Sequence, residues 1–180
     1  MRTKAFLIFI FFILLITGGY ISSSEQPQKI QKEKLINTAK KIIGSSDLCV
    51  LITTGENGFP NTRVMDPFPP DKNMVVRMGT NSNSRKVKEI KKNNKVTIYY
   101  EIPGGDGYVN LKGEAYLIDK EEEKRKYWKK GWEKFYPPDR NNFILIKVVP
   151  VKLEIVSYKN GLTGDPVTWE APSLSFYKSM

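Results

Sequence analysis

The chain has 180 residues, of which 40% are hydrophobic and 27% are charged, and its formal net charge is +10. This composition is typical of a globular protein with one buried core, and it does not indicate a disordered chain. The sequence contains no histidine and only one cysteine, Cys49, which excludes a Ser-His-Asp triad, an imidazole-ligated zinc site, a thiolate cluster and an internal disulfide.

The N-terminus has the layout of a targeting segment. Arg2 and Lys4 precede an unbroken apolar run over residues 5–16, and small residues follow. A basic stretch, a short apolar stretch and then small residues are typical of a secretory signal peptide. Counted over residues 5–21, the apolar segment reaches the lower limit of length for a membrane-spanning helix. The sequence therefore predicts a signal peptide or membrane tether within residues 1–24, and an exported or membrane-anchored, extracytoplasmic protein.

The next segment is predicted to pass from a linker into a helix and a hairpin. Residues 25–34 are polar and charged and are predicted to form a linker that runs into a helix ending at Gly44. The apolar residues that recur at helical spacing are Ile30, Leu35, Ile36, Ala39, Ile42 and Ile43. The hairpin is predicted from LCVLITT at 48–54 as a buried strand, GENG at 55–58 as the turn and PNTRVMDP at 60–67 as the returning strand.

The remaining elements alternate between strands and short helices. The pattern predicts a third strand over 73–80, a helix to about residue 92, strands over 95–102 and 108–119, a charged helix over 120–135 and a last strand over 143–158. Asp119 is the expected N-cap of the charged helix, and an apolar stripe of Trp128, Trp132 and Phe135 is expected to face the core. Pro150 indicates a bulge or an edge position in the last strand.

Hairpin-length connections dominate this pattern, which favours antiparallel strands over a parallel β-α-β sheet. The predicted fold is a small barrel-like α+β domain, mainly β, over residues 35–158. Residues 159–180 show no regular period and are predicted to pack on this domain as a C-terminal extension.

The helix after the third strand begins with an unusual charge pattern. Ser84 is a good N-cap, but Arg85 and Lys86 follow in the first turn, where the helix dipole disfavours cations. A phosphate group would account for this pattern, because it would accept hydrogen bonds from the hydroxyls of Thr80 and Ser84 and from the free first-turn amides. Arg63 would add a bidentate contact if its strand pairs beside the third strand. The alternative is that both cations extend into water, at a cost of about 0.3–1 kcal/mol each.

These motifs together resemble the pyridoxamine 5′-phosphate oxidase-like superfamily, and in particular its general-stress-protein-like branch. The sequence TNSNSRK at 80–86, between a strand and a helix, is similar to that family's flavin-phosphate motif, and GENGFPNTRVM at 55–65 is similar to its hairpin. Residues 93–100 and 108–118 resemble its next two strands, and YWKKGWEKFYP at 127–137 resembles its Trp-containing helix and turn.

The resemblance implies an FMN-binding split β-barrel with flanking helices, usually a homodimer that holds flavin mononucleotide (FMN) at the subunit interface. The residues implied to bind the cofactor are Arg63, Ser84, Arg85 and Lys86 at the phosphate with Thr80 beside them, and Val64 and Met65 along the flavin ring through their backbone. Because the flavin would supply the redox chemistry, no catalytic side chain and no metal site are expected.

The predicted function is therefore that of an FMN-binding flavoprotein, an oxidoreductase of unassigned small-molecule substrate and electron donor. True pyridoxamine phosphate oxidases end in an Arg-x-His-type substrate motif, and a chain without histidine is not expected to use that substrate. The alternative is a non-catalytic binding module that keeps the same fold for another phosphorylated or aromatic ligand. A third hypothesis, a basic surface for nucleic acid or anionic membrane, ranks last. No nucleic-acid partner is expected, because export argues against one and the lysines are not interleaved with exposed aromatic residues.

Overall fold

The computed structural model of the chain describes residues 25–137 and 142–176. Antiparallel strands contain more of these residues than the helices do, and the helices are short apart from the first. In chain order the elements are α1 (Glu25–Gly44), β1 (Cys49–Thr54), β2 (Pro60–Met65), β3 (Val76–Asn81), α2 (Arg85–Lys92), β4 (Lys95–Ile102), β5 (Gly107–Ile118), α3 (Glu121–Lys126), β6 (Phe143–Ser157) and β7 (Ser173–Ser175).

The strands form one curved sheet in the order β2-β1-β4-β5-β6-β3, and β7 pairs with β6. Every strand pair is antiparallel. Just beyond β2, Pro67 forms an isolated bridge with Met78 of β3, so the two ends of the sheet approach each other. The curvature produces a half-open barrel, which confirms the predicted barrel-like α+β domain.

The hydrophobic core lies inside the curve of the sheet. Buried and partly exposed residues alternate strictly along β1 and β3, as expected for strands with one face in the core. Helix α1 covers the core through Leu35, Ala39 and Ile43, which are all almost fully buried. Helix α2 contributes Val87 and Ile90, which are also buried.

Helix α1 begins earlier than the sequence pattern predicts. It starts at Glu25, so residues 25–34 are helical rather than an irregular linker. Residues 28–34 are exposed and consist mainly of Lys, Gln and Glu, which are good helix formers and extend the helix without packing on the core. Ile30 is 61% exposed and therefore does not belong to the packed face.

The charged helix is shorter than predicted. Helix α3 ends at Lys126, and the chain then turns through Gly131, whose φ of 90° interrupts any continuation of the helix. Trp132 is buried as expected, but Phe135 is 60% exposed, so the predicted apolar stripe is wrong for Phe135. A helical spacing predicts a common face only where the helix continues.

The predicted N-cap of this helix is also wrong. Lys120 occupies the N-cap position, and the carboxylate of Asp119 instead accepts a hydrogen bond from the Lys124 ammonium at 3.0 Å. Lys124 is buried and also pairs with Glu121 at 2.7 Å. A buried ammonium requires such partners, and this requirement outweighs the capping preference of Asp119.

Pro150 lies at a β-bulge, as predicted. Lys112 is opposite Lys152 whereas Gly113 is opposite Pro150, so Val151 is an extra residue on β6. On the other side of β6, pairing with β3 reaches Val148 and pairing with β7 starts at Lys152. Pro150 therefore occupies a gap between the two partner strands, where its missing N–H costs no ladder hydrogen bond.

The described part of the C-terminal segment packs on the barrel. Leu162 is buried and forms an isolated bridge with Ser157 at the end of β6. Strand β7 adds three residues to the sheet, and the partly buried side chains of Leu174 and Phe176 contact the core. This segment therefore forms part of the surface near the end of the barrel where β6 finishes.

The predicted signal or anchor segment over residues 1–24, with its tether through 5–21, lies outside the described residues. Within the described residues, no helix combines the length and the apolar composition that crossing a bilayer would require. Export or membrane anchoring therefore stays a prediction.

Gly79 on β3 lies directly beneath aromatic rings. A Cβ atom at this position would be 2.5 Å from Cζ3 of Trp132 and 2.7 Å from Cε2 of Phe143. Gly79→Ala is therefore expected to lower the free energy of unfolding by about 1–3 kcal/mol, because both rings must shift. Gly44→Ala is the matched control, since no atom lies within 4 Å of its added Cβ. Urea unfolding measures both variants, and equal midpoints would contradict the tight packing at Gly79.

Candidate functional site

Strand β3 and the start of α2 bring three of the predicted phosphate-binding side chains together. Thr80 faces inward at the end of β3 and is 2% exposed. Its hydroxyl oxygen lies 3.3 Å from the Ser84 hydroxyl and accepts a hydrogen bond from the Lys86 ammonium at 3.1 Å. The two hydroxyls and the ammonium therefore form one compact group of hydrogen-bond donors at the end of the barrel.

A tight turn between β3 and α2 sets this geometry. The Ser84 N–H donates to the Asn81 carbonyl oxygen at 3.0 Å, and the Asn83 N–H donates to the Asn81 side chain at 2.8 Å. Ser84 occupies the N-cap position in an extended conformation, but its side chain makes no capping hydrogen bond. Its hydroxyl is directed toward Thr80 instead. The first-turn amides of a helix have no acceptor within the helix, so a bound anion could accept from them.

A buried carboxylate, Glu89, lies next to this group and was not among the predicted site residues. It is only 3% exposed, although it lies on the highly charged helix α2. Its carboxylate oxygens accept hydrogen bonds from donors on three elements. These donors are Thr53 Oγ1, Asn61 Nδ2 at 2.6 Å and Arg63 Nη2 at 2.8 Å, with Arg85 Nε ion-paired at 3.3 Å.

Glu89 is held ionised by these contacts. Burial alone would raise the pKa of its carboxyl group, but hydrogen bonds from Thr53 and Arg63, the charge of Arg63 and a hydrogen bond from Asn61 together lower it. Arg63 is fixed in return, because its Nη1 also donates to Thr53 Oγ1 and to the Asn61 carbonyl oxygen at 3.0 Å. The guanidinium therefore has a defined orientation. Because β2 pairs with β1 and β3 pairs with β6, the pairing of the second and third strands on which the predicted bidentate contact depended is not present among the described strands.

These contacts answer the question raised by the charge pattern of the helix start. Arg85 is 70% exposed but pairs with Glu89 one turn further along the helix. Lys86 is half-buried and donates to Thr80. The alternative considered above, that both cations extend into water, is therefore wrong for Lys86 and incomplete for Arg85. The (i, i+4) spacing of Arg85 and Glu89 is the sequence signal that indicates this ion pair.

The site carries more positive than negative charge. Burial lowers the pKa of Lys86, and the neighbouring charge of Arg63 lowers it further, whereas Glu89 acts in the opposite direction. Arg63, Arg85 and Lys86 thus share the single carboxylate of Glu89. A positive charge that is partly desolvated and repelled by its neighbours would gain stability from a bound anion.

The two residues predicted to contact a flavin ring lie on the edge strand β2. Val64 pairs with Val50 and its side chain is 64% exposed, whereas the Met65 side chain is buried in the core. Among the described strands, β2 pairs only with β1, so alternate backbone N–H and C=O groups on its outer edge are open to a ligand. Contact with Met65 would therefore be through its backbone, as the sequence analysis predicts.

Within the described residues, neither metal-ligating side chains nor the thiol forms a second reactive centre. Across residues 25–137 and 142–176, no group of three His, Cys, Asp or Glu side chains is arranged to hold a metal ion. Cys49 is buried, and burial raises its pKa to about 12, so the thiol is unreactive at neutral pH.

Comparison with known proteins gives a consistent assignment. Residues 31–158 match the sequence model of the family described as "Pyridoxamine 5′-phosphate oxidase like". A search of curated proteins finds no match.

Solved structures share the same fold. The chain is similar to a Clostridium acetobutylicum protein related to general stress protein 26 of B. subtilis, with a TM-score of 0.65, 22% identity, and coverage of 81% of this chain and 96% of that chain. General stress protein 26 from Bacillus anthracis gives a TM-score of 0.58 and 25% identity, with coverage of 69% of this chain and 92% of that chain. A pyridoxamine 5′-phosphate oxidase-related, FMN binding protein from Nostoc punctiforme gives a TM-score of 0.50 and 15% identity, with coverage of 88% of this chain and 99% of that chain.

Proposed function

Because the chain belongs to the pyridoxamine 5′-phosphate oxidase-like family, we propose that it is an FMN-binding flavoprotein and an oxidoreductase. The observation that carries the proposal is the environment of Lys86. This ammonium is half-buried, lies beside the charge of Arg63 and donates to the Thr80 hydroxyl at 3.1 Å. A phosphate group would relieve this excess positive charge. FMN carries such a group at the end of a flexible chain.

The donors present suit the phosphate end of FMN. The Thr80 hydroxyl already lies within hydrogen-bonding distance of both the Ser84 hydroxyl and the Lys86 ammonium. An ammonium has three donor hydrogens, and the contact with Thr80 uses only one of them. Arg63 would contribute its charge from a fixed position, while Arg85, at the exposed side of the site, would contribute long-range attraction.

In this proposal the protein supplies binding and orientation. FMN, when bound, supplies reversible hydride and single-electron chemistry. Thr80, Ser84 and Lys86 hold the phosphate, and the open edge of β2 at Val64 and Met65 positions the ring through backbone groups. Glu89 keeps Arg63 in place and limits the net charge of the site.

We also propose that the protein is a homodimer. The β1–β2 hairpin exposes three large apolar side chains, Leu48, Phe59 and Val64, which are 57%, 71% and 64% exposed. Val64 lies on the edge strand β2, and Leu48 and Phe59 lie at the two ends of the hairpin. Exposed apolar side chains near an unpaired sheet edge are typical of an association surface. Sedimentation velocity is expected to give about twice the chain mass of 20.7 kDa. A monomer at micromolar concentration would contradict this expectation.

The direct test is FMN binding by the purified full chain. We expect a flavin absorbance spectrum, or quenching of FMN fluorescence on titration, with riboflavin binding much more weakly because it lacks the phosphate. Reduction of the bound flavin by a nicotinamide or artificial electron donor would support oxidoreductase activity. Protein that ignores added FMN would contradict the proposal, and binding of another phosphorylated or aromatic compound would favour the non-catalytic module instead.

The affinity for FMN is expected to fall at alkaline pH. Lys86 must be protonated to pair with the phosphate, and its pKa is lower than that of an ordinary lysine by burial and by the charge of Arg63. The affinity for FMN is therefore highest below this lowered pKa and falls as the pH rises through it. Fluorescence titrations between neutral and alkaline pH measure the effect. The Lys86→Met variant should lose this alkaline dependence, and an unchanged profile in that variant would assign the effect to another group.

A further inference from the structure

A cavity of about 400 Å³ is lined by residues from helix α3, from the turns that follow it and from the start of β6. Its volume suits a small molecule. None of the residues predicted to bind FMN lines it. Three aromatic residues, Trp128, Tyr136 and Phe143, form its apolar wall, and we refer to it as the Trp128 cavity.

The three rings of this wall hold one another in place. The ring centroids of Trp128 and Phe143 are 5.1 Å apart in an edge-to-face arrangement. The Tyr136 centroid lies 4.9 Å from that of Phe143 and 6.1 Å from that of Trp128. The buried Trp132 contacts all three rings. Trp128 and Tyr136 stay partly exposed, so this fixed wall offers ring surface to a ligand.

Two opposite charges at the cavity have no ionic partner. Arg125 is exposed and makes no ion pair or side-chain hydrogen bond with the other described residues. Glu133 accepts a hydrogen bond from the Trp128 indole N–H at 3.2 Å, but it has no cationic partner among the same residues. The guanidinium and the carboxylate therefore line one cavity without pairing with each other. A ligand that carries both an anionic and a cationic group would pair with both.

The other two charged residues of the lining neutralise each other. Lys124 is buried and pairs with Glu121 at 2.7 Å. Glu133 differs, because it is ionised at neutral pH without a cation beside it. Hydrogen bonds from its own backbone N–H and from the Trp128 indole lower its pKa. The ionic groups available to a ligand are therefore one guanidinium and one carboxylate.

Asn142 adds a hydrogen-bond acceptor that has no donor. Its side-chain oxygen Oδ1 is buried and has no hydrogen-bond partner among the described residues. Buried polar atoms in folded proteins are nearly always hydrogen-bonded, because an unpaired one bears the full cost of losing its water. Since Asn142 lines the cavity, a ligand with an N–H donor would supply the missing partner.

We propose that the Trp128 cavity binds a free aromatic amino acid. The ring of the ligand would lie against Trp128 and Tyr136, and the guanidinium of Arg125 would bind the α-carboxylate through two parallel hydrogen bonds. The α-ammonium has three donor hydrogens, so one group can serve both Glu133 and Asn142. This proposal goes beyond the flavoprotein function and does not depend on it.

Calorimetric titration of the full chain with L-phenylalanine tests the proposal. Three analogues serve as controls, since 3-phenylpropionate lacks the ammonium, phenethylamine lacks the carboxylate and L-alanine lacks the ring. We expect saturable binding of one phenylalanine per chain, roughly tenfold weaker binding of each singly charged analogue, and no detectable binding of alanine. Phenylalanine that binds no better than any one of the three analogues, or that shows no saturable binding, would overturn the proposal.

Variants assign each charge of the ligand to its partner in the cavity. Arg125→Met is expected to weaken phenylalanine binding roughly tenfold and to leave phenethylamine binding unchanged, because that analogue has no carboxylate. Glu133→Gln keeps an acceptor for the Trp128 indole N–H. It should weaken phenylalanine binding by a similar factor and leave the binding of 3-phenylpropionate unchanged, because that analogue has no ammonium.

Lys126→Met is the matched control, since Lys126 is exposed on the same helix as Arg125 but does not line the cavity. A loss for Arg125→Met no larger than that for Lys126→Met, or an equal loss for phenethylamine, would overturn the assignment. FMN binding should be unchanged in Arg125→Met, and phenylalanine binding should be unchanged in Lys86→Met. Failure of this proposal and failure of FMN binding can therefore be distinguished.

Discussion

Replacing Lys86 with methionine is expected to weaken FMN binding by about 100-fold. Hydrogen bonds to charged groups contribute about 1.5–3 kcal/mol each, and the half-buried position of Lys86 places its contact with the phosphate at the upper end of this range. Methionine preserves most of the aliphatic stem, so the change removes the charge and little packing. Quenching of FMN fluorescence on titration with protein measures the dissociation constant.

Lys88→Met is the matched control for this experiment. Lys88 lies on the same helix, but its side chain is exposed and donates no hydrogen bond to Thr80 or Ser84 among the described residues. It should weaken FMN binding by a few-fold at most, through the loss of long-range attraction. Riboflavin provides a second control, because Lys86→Met should leave its weak binding unchanged. Equal losses for FMN and riboflavin would show that the variant damages the fold rather than a phosphate site.

The strands were predictable from the sequence because their physical cause is local. Alternation of apolar and polar residues along β1 and β3 follows from one face being buried, and the glycine turn at 55–58 follows from backbone freedom. The Gly55 N–H donates to the Phe59 carbonyl oxygen at 2.8 Å, and Gly58 adopts a φ of 82° as such a turn requires. Pro150 also indicated its own position, because proline has no backbone N–H to donate to a neighbouring strand.

The errors concern where elements begin and end. The charged segment after Asp119 has helical spacing, but helix α3 ends at Lys126, and the left-handed φ of Gly131 prevents the helix from continuing to residue 135. Similarly, α1 extends through exposed residues because their helix propensity suffices without packing, and hydrophobic periodicity does not report propensity. Periodicity predicts which face is buried, whereas it does not locate the ends of an element.

The candidate site combines a part that a short segment of sequence determines with a part that depends on contacts distant in sequence. The group formed by Thr80, Ser84 and Lys86 is predictable, because a tight turn joins these residues within one short segment. Glu89 was not predicted as part of the site, because its partners Asn61 and Arg63 come from β2 and are 28 and 26 residues away along the chain. A carboxylate on a charged helix is normally solvated. Only the pairing of β2 with β1, and the packing of α2 against them, make this one buried.

Replacing Glu89 with alanine is expected to lower the free energy of unfolding by about 3–5 kcal/mol at neutral pH. Its carboxylate is 3% exposed and accepts hydrogen bonds from Thr53, Asn61 and Arg63. Removing one member of a buried ion pair leaves the other charge without a partner, which costs far more than the net value of the pair. Here the remaining charge is that of Arg63, which is only 15% exposed. Urea unfolding of the two proteins measures the difference.

The same pair makes the stability depend on pH in a defined direction. Because the folded protein lowers the pKa of Glu89 below its usual value of 4.5, its ionised form contributes stability that is fully present above that value. This contribution is lost as the pH falls through the lower pKa of the folded state, so the difference between the wild type and Glu89→Ala should shrink in acid. Glu56→Ala is the control, since Glu56 pairs with Lys92 at an exposed position and its removal should have little effect. If Glu89→Ala loses no more stability than Glu56→Ala, Arg63 is held in place by its hydrogen bonds to Thr53 and Asn61 alone. If the loss for Glu89→Ala persists unchanged in acid, the stabilisation does not depend on the ionised carboxylate.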